Sequence, residues 1–127
     1  MQIKLLIVDD EVDVCDYAKS FFEERGLKVF TSLNGEGALE IIKRDKPHIM
    51  LLDVKMKGID GIEVLKKAKE IRPELEIIMV TAVEDEGKIA EAKNLGARDY
   101  VTKPLVLDEL ESTVCSLADQ LGAKSRK

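Results

Sequence analysis

Short apolar runs alternate along this chain with longer segments in which apolar residues recur every three or four positions. Residues 3–8, 49–52 and 77–80 are continuous runs of Ile, Leu, Val and Met broken only by Lys4, and residues 27–31 and 100–101 are weaker runs. Their lengths are those of strands. The spacing between them predicts five helices. Residues 11–25 place Val12, Cys15, Ala18 and Phe22 on one face and stop at Gly26. Asn34-Gly35 opens a second helix, bearing Ala38, Leu39, Ile41 and Ile42 and closed before Pro47. Asp60 with Glu63 three residues on has the form of a capping box. The helix behind it carries Ile62, Leu65, Ala68 and Ile71 and stops at Pro73. A fourth, polar and Ala-rich helix covers residues 84–95 and ends at Gly96. The last spans roughly residues 107–121, with Leu110, Val114, Leu117 and Leu121 on one face and Gly122 as its stop.

A strand with one buried face alternates apolar and polar residues. The first, third and fourth runs do not, so both their faces are expected to be covered. Alternating βα units then imply a parallel sheet with helices on both sides, an α/β fold of the doubly wound (βα)5 kind. No internal linker, repeat or low-complexity segment interrupts the pattern. The expected domain is residues 1–121, and residues 122–127 read as a polar tail or the start of a linker.

Composition narrows the function more than it names one. The 127 residues fit one domain with a real core. A net charge of −5 disfavours a broad nucleic-acid footprint, and 4% aromatics without Trp disfavour base stacking. No apolar run approaches the ~20 residues of a membrane span. The first apolar run meets Asp9-Asp10 too early for a secretory signal, so a cytoplasmic location is expected. Cys15 and Cys115 fall on helix faces and read as small hydrophobes in a reducing compartment. With His48 as the lone histidine, no zinc set can be assembled, and a histidine at the start of a buried strand is a poor mobile base for a triad.

Chemistry gathers where the strands end. In an open α/β sheet, ligands bind outside the carboxyl ends of the strands. Those ends carry Asp9-Asp10, Asp53, Thr81 and Lys103, whereas the second strand ends in an unremarkable Thr31-Ser32. Singly, each has a plain explanation: an aspartate after a strand caps the next helix, Thr81 ends a strand, Lys103 is a surface lysine. Together they ask for another. Two carboxylates about 4 Å apart repel by roughly 4 kcal/mol at an effective dielectric near 20, and folding does not require that. A divalent cation would relieve it, and oxygen ligands suit Mg2+. Carboxylate, hydroxyl and ammonium around such a cation suit phosphoryl transfer, with a carboxylate able to act as nucleophile.

This ordered set resembles the receiver domain of the two-component response regulator family. The resemblance rests on Asp9-Asp10, on Asp53 after residues 49–52, on Thr81-Ala82 after residues 77–80 and on Lys103-Pro104 after Tyr100-Val101-Thr102. Gly96-Ala97 ahead of the last strand, and Met56 and Gly61 after Asp53, add to it, and together these residues span nearly the whole chain. It implies a flavodoxin-like sheet in the order 2-1-3-4-5. It also implies that Asp53 accepts a phosphoryl group from a sensor histidine kinase or phosphotransfer protein, and that Asp10 binds Mg2+ directly. By the same resemblance Asp9 would support the metal shell, partly through water, and the main-chain carbonyl of Lys55 would be a further metal ligand. The resemblance further implies that Lys103 pairs with the carboxylate and then with the phosphoryl group, that Lys103-Pro104 is a cis peptide, and that Thr81 and Tyr100 move on phosphorylation. The plainer reading of Tyr100 is a half-buried aromatic at the sheet edge. The chain departs from the family in Lys57, where Pro is common, and in Leu105, where an aromatic is common. In this family Lys55 and Val83 lie at positions that flank the phosphoryl group, and the resemblance implies that they tune how long the phosphorylated state lasts.

The implied function is a switch whose surface, made by the fourth helix, fifth strand and fifth helix, changes on phosphorylation and controls a partner or an attached output domain. The polar fourth helix is the expected mobile element. The domain is expected to be no enzyme beyond its own phosphorylation and dephosphorylation, and to bind no DNA or membrane itself. A homodimer formed on phosphorylation is among the partnerships the resemblance allows. The rival from another class is a Mg-dependent aspartyl phosphatase of haloacid-dehalogenase type. Its nucleophile ends the first strand within Asp-x-Asp, where this chain has adjacent Asp9-Asp10, and 127 residues leave little room for its cap. An FMN binder would need a phosphate-cradling loop where Asp9-Asp10-Glu11 stand. A receiver that only binds partners would not need the full acidic, Thr and Lys set.

Overall fold

The computed structural model describes residues 2–54, 60–81, 86–102 and 106–125. Strands β1 (Lys4–Val8), β2 (Lys28–Ser32), β3 (Ile49–Asp53), β4 (Glu76–Thr81) and β5 (Asp99–Thr102) alternate with helices α1 (Val12–Glu23), α2 (Gly35–Asp45), α3 (Gly61–Ile71), α4 (Glu86–Asn94) and α5 (Leu107–Ser125). The strands are parallel and ordered β2-β1-β3-β4-β5, as the resemblance implied.

The continuous apolar runs are explained by two cores. Leu5, Ile7, Ile49, Leu51 and Ile78 meet Cys15, Ala18 and Phe22 of α1 and Leu110, Val114 and Leu117 of α5 on one face. Leu6, Val8, Met50, Leu52, Ile77 and Met79 meet Ala38, Ile42, Val64, Leu65, Ala68 and Ala92 on the other. Neighbouring residues of one strand thus serve opposite cores, and a polar residue at either position would be buried. Among the described side chains α4 gives the core one fully buried residue, Ala92. Each large aliphatic side chain stabilises the fold by about 1.5–3 kcal/mol when buried. By that measure α4 is the most lightly anchored helix.

Local signals set most of the helix ends. Asn34 Oδ1 accepts from the Gly37 N–H at 2.7 Å, and Asp60 Oδ1 accepts from the Ile62 N–H at 2.8 Å. Gly26 and Gly96 take the left-handed conformation that ends α1 and the turn after α4. α2 closes before Pro47 as expected, but through Lys46 at φ 51°, a left-handed cap more often given to glycine. Two expectations on element limits change, and one lies partly outside the described residues. β2 runs one residue later than residues 27–31, because Lys28 pairs with Lys4 and its N–H bonds to the Ile3 carbonyl. The described part of the fourth helix is Glu86–Asn94, and residues 84 and 85 lie outside the described residues. The last helix does not stop at Gly122 but continues to Ser125. A glycine ends a helix by turning left-handed; kept helical, it costs only about 1 kcal/mol against alanine, too little to break a long helix.

His48 lies just before β3, at the end of the sheet away from the strand termini that carry Asp9 and Asp53. Its Nδ1 accepts from the Lys4 N–H at 3.0 Å, so that nitrogen carries no proton in the fold. Burial first, then the cations of Arg72 and Lys4, hold its pKa below the ordinary 6.5. The unfolded chain therefore takes up the proton first as pH falls. Stability contributed by the neutral ring is complete above 6.5 and declines as pH drops below it, towards the folded value. We expect the urea midpoint to fall between about pH 7.5 and about pH 5.5, and His48→Asn, which keeps an acceptor without titrating, to flatten that slope. Equal slopes for the two proteins would refute the assignment.

Candidate functional site

The sheet register brings the acidic residues together. Val8 pairs with Leu52, so the next residues, Asp9 and Asp53, emerge abreast from adjacent parallel strands. Asp53 pairs with Val80, which places Thr81 one step beyond it on the next strand. Asp9, Asp53 and Thr81 are all at least nine-tenths buried, whereas Asp10 is exposed. One carboxylate oxygen from each of Asp9, Asp10 and Asp53 lies within 4.8 Å of the others. Three hard oxygen donors, two of them on buried residues, fit a small divalent cation that keeps part of its water shell. They fit no soft metal, since the Cys15 thiol is engaged elsewhere.

Backbone bonds fix Asp9 in place. Its N–H donates to the Ser32 carbonyl at 3.1 Å, and its Oδ1 accepts from the Glu11 N–H at 2.9 Å. The Cys15 thiol donates to the Asp9 carbonyl at 3.4 Å. Burial, with the Asp9 charge second, pushes that thiol up to about 11, so it stays protonated and unreactive at neutral pH. Ser32, unremarkable in the sequence, is buried, and its hydroxyl donates to the Asn34 carbonyl at 2.7 Å. It ties the end of β2 to both Asp9 and the α2 cap. A polar residue ending a strand just before an Asn-Gly helix start was the available signal.

Asp53 is held from the other side by α3. The Gly61 N–H donates to the Val54 carbonyl at 3.1 Å, and the Val54 N–H donates to Val80 at 2.9 Å. A Cβ on Gly61 would lie 2.5 Å from the Asp53 carbonyl oxygen and 2.7 Å from Val54 Cα. Glycine is thus required here by close approach to the backbone that carries Asp53.

Tyr100 is half-buried at the sheet edge, packed against the core under α3 and α4. It pairs with Met79, and Thr102 pairs with Thr81, so Tyr100 and Thr81 lie on the same sheet face, two positions apart. Lys55, Lys103 and the Lys103-Pro104 peptide lie outside the described residues, as do Met56, Lys57, Val83 and Leu105. Cys115 is half-buried and, like Cys15, a free thiol.

A family model described as the response regulator receiver domain matches residues 5–115. The chain belongs to the response regulator receiver family. Sporulation initiation phosphotransferase F of Bacillus subtilis is 38% identical over 114 residues, covering 90% of this chain and 92% of that protein. The transcriptional regulatory protein CrdR of Helicobacter pylori is 34% identical over 115 residues, but the receiver spans only 54% of its length. A CheY-like receiver domain protein from Methanospirillum hungatei superposes with a TM-score of 0.87 at 30% identity, covering 97% of this chain and 99% of that one. As a receiver the domain is a phosphorylation-activated signalling switch, and the comparisons give no support to the phosphatase alternative. No helix among the described residues is long and apolar enough to cross a membrane.

Proposed function

We propose that Asp53 is the phosphoryl acceptor of this receiver. A carboxylate oxygen of Asp53 attacks the phosphorus of a phosphohistidine on a sensor histidine kinase or phosphotransfer protein. The P–N bond breaks and an acyl phosphate forms, with the imidazole as leaving group. Asp10 and Asp53, with Asp9 behind them and the Lys55 main-chain carbonyl, are the residues that would hold Mg2+. Bound there, the cation offsets negative charge on the phosphoryl oxygens. Lys103 supplies a second positive charge, Thr81 a hydrogen bond, and Tyr100 follows Thr81 into the space behind it. The observation that carries this reading is the approach of the Asp9, Asp10 and Asp53 oxygens to within 4.8 Å at the ends of β1 and β3.

The phosphorylated form then acts in the cytoplasm through the surface of α4, β5 and α5, on a separate effector protein or an attached output domain. A homodimer formed on phosphorylation would use the same surface. With a net charge of −5, the domain itself does not carry DNA binding. It performs no turnover beyond its own phosphorylation and dephosphorylation. The Bacillus relative, 38% identical, is called a phosphotransferase. That favours a version in which the phosphoryl group moves on from Asp53 to a further phosphotransfer protein.

Acetyl phosphate tests the assignment. With Mg2+ we expect one phosphoryl unit per chain, sensitive to hydroxylamine and mapping to residue 53 after borohydride reduction, and none with EDTA. Label at another residue, or label indifferent to EDTA, would overturn the reading.

A further inference from the structure

The described cations on α4 and β5 do not all face solvent alone. The Lys93 ammonium lies 4.7 Å from the centroid of the Tyr100 ring, inside the range in which a cation is attracted to an aromatic face. We propose that Lys93 is a positioning residue for Tyr100, holding the ring in its resting place and so opposing the switch. The inference rests on the reading of Tyr100 as a moving residue under the proposed function. Three observations carry it further than a surface contact. Lys93 stands in the last turn of α4, where the carbonyl ends of the helix favour a cation. α4 gives the core only Ala92 among its described fully buried side chains and otherwise rests against α3 and β4, so the cation–ring contact adds a tie to β5 at its last turn. The same sheet face carries Tyr100 and, two positions on, buried Thr81. A ring that turned towards Thr81 would leave the ammonium, and α4 would lose that attachment in the same step. The pair thus couples the position of the ring to the seating of α4.

The chain has two tyrosines and no Trp, and Tyr17 is exposed. In a Tyr17→Phe parent, Tyr100 is therefore the one tyrosine reporting by fluorescence and ring NMR. Beryllofluoride with Mg2+, a phosphoryl mimic, is titrated into this parent and into its Lys93→Met and Lys93→Arg derivatives. We expect Lys93→Met to lower the midpoint by about two- to fivefold and to move the resting Tyr100 signals towards the bound ones. Lys93→Arg, which keeps a cation over the ring, should restore the parent. A merely structural lysine would change the urea midpoint and leave the beryllofluoride midpoint alone. An unchanged midpoint in Lys93→Met, or Lys93→Arg behaving like Lys93→Met, overturns the positioning role while the parent still responds. A parent whose Tyr100 signals do not respond overturns the switch reading and this inference with it.

Discussion

Asp53→Asn is expected to abolish labelling by acetyl phosphate, a loss of more than about a hundredfold, while the protein stays folded. The amide has the shape of the carboxylate but no nucleophilic oxygen. Asp9 and Asp10 do not replace it, because reaction needs a carboxylate placed in line with the donor and Asp9 is tied by its bond to the Glu11 N–H. The same change removes one of three charges that lie within 4.8 Å of each other. Cation affinity should fall with it. In the parent, Mg2+ at about a hundred times its dissociation constant would stabilise the fold by about 2.7 kcal/mol. In Asp53→Asn the stabilisation at the same concentration should be clearly smaller. Urea unfolding with and without Mg2+ measures it, and an equal gain in both proteins would remove Asp53 from the cation site.

Gly61→Ala should be strongly damaging for so small a substitution. The added methyl meets the Asp53 carbonyl, Val54 Cα and the Val54 carbonyl at 2.5, 2.7 and 2.8 Å. All three are backbone atoms and cannot swing aside as a side chain can. Overpacking of this kind costs about 1–3 kcal/mol, and here the upper end is expected. Relief must come from moving α3 outward or from displacing the end of β3, and the second displaces Asp53, the proposed acceptor. Labelling should therefore slow by about tenfold or more even where the protein remains folded. Gly87→Ala is the control. It also lies in a helix, but its Cβ would meet nothing within 4 Å, and alanine there should stabilise by up to about 1 kcal/mol. Equal effects of the two alanines on urea midpoint and labelling would show that helix propensity, not contact with the Asp53 and Val54 backbone, governs position 61.

Much of the fold was legible because burial on two faces leaves a mark in one dimension. Runs such as Leu5-Leu6-Ile7-Val8 and Met50-Leu51-Leu52 serve both cores at once, so they could not alternate. Asn34 and Asp60 were readable as caps because their partners lie two or three residues away. Gly26 and Gly96 were readable because ending a helix by a left-handed residue is a local act. The end of α5 differs from its sequence signal for the complementary reason. Gly122 offers a stop only if the chain takes it, and the helix runs on to Ser125.

The candidate site divides along the same line. The sequence by itself determined that Asp9, Asp10, Asp53 and Thr81 stand at strand ends, since apolar runs lead directly into them and parallel strands must finish on one edge. Tertiary structure decided the rest. Only the register of β1 against β3 sets Asp9 beside Asp53, and only burial separates Asp9, held by Ser32 and Glu11, from exposed Asp10. The need for glycine at position 61 comes from a backbone passing within 3 Å, and the seat of the Tyr100 ring from a lysine on another element. These are contacts between segments remote in order or facing across a loop. Their geometry depends on how strands and helices pack, and neighbours in sequence carry no record of it.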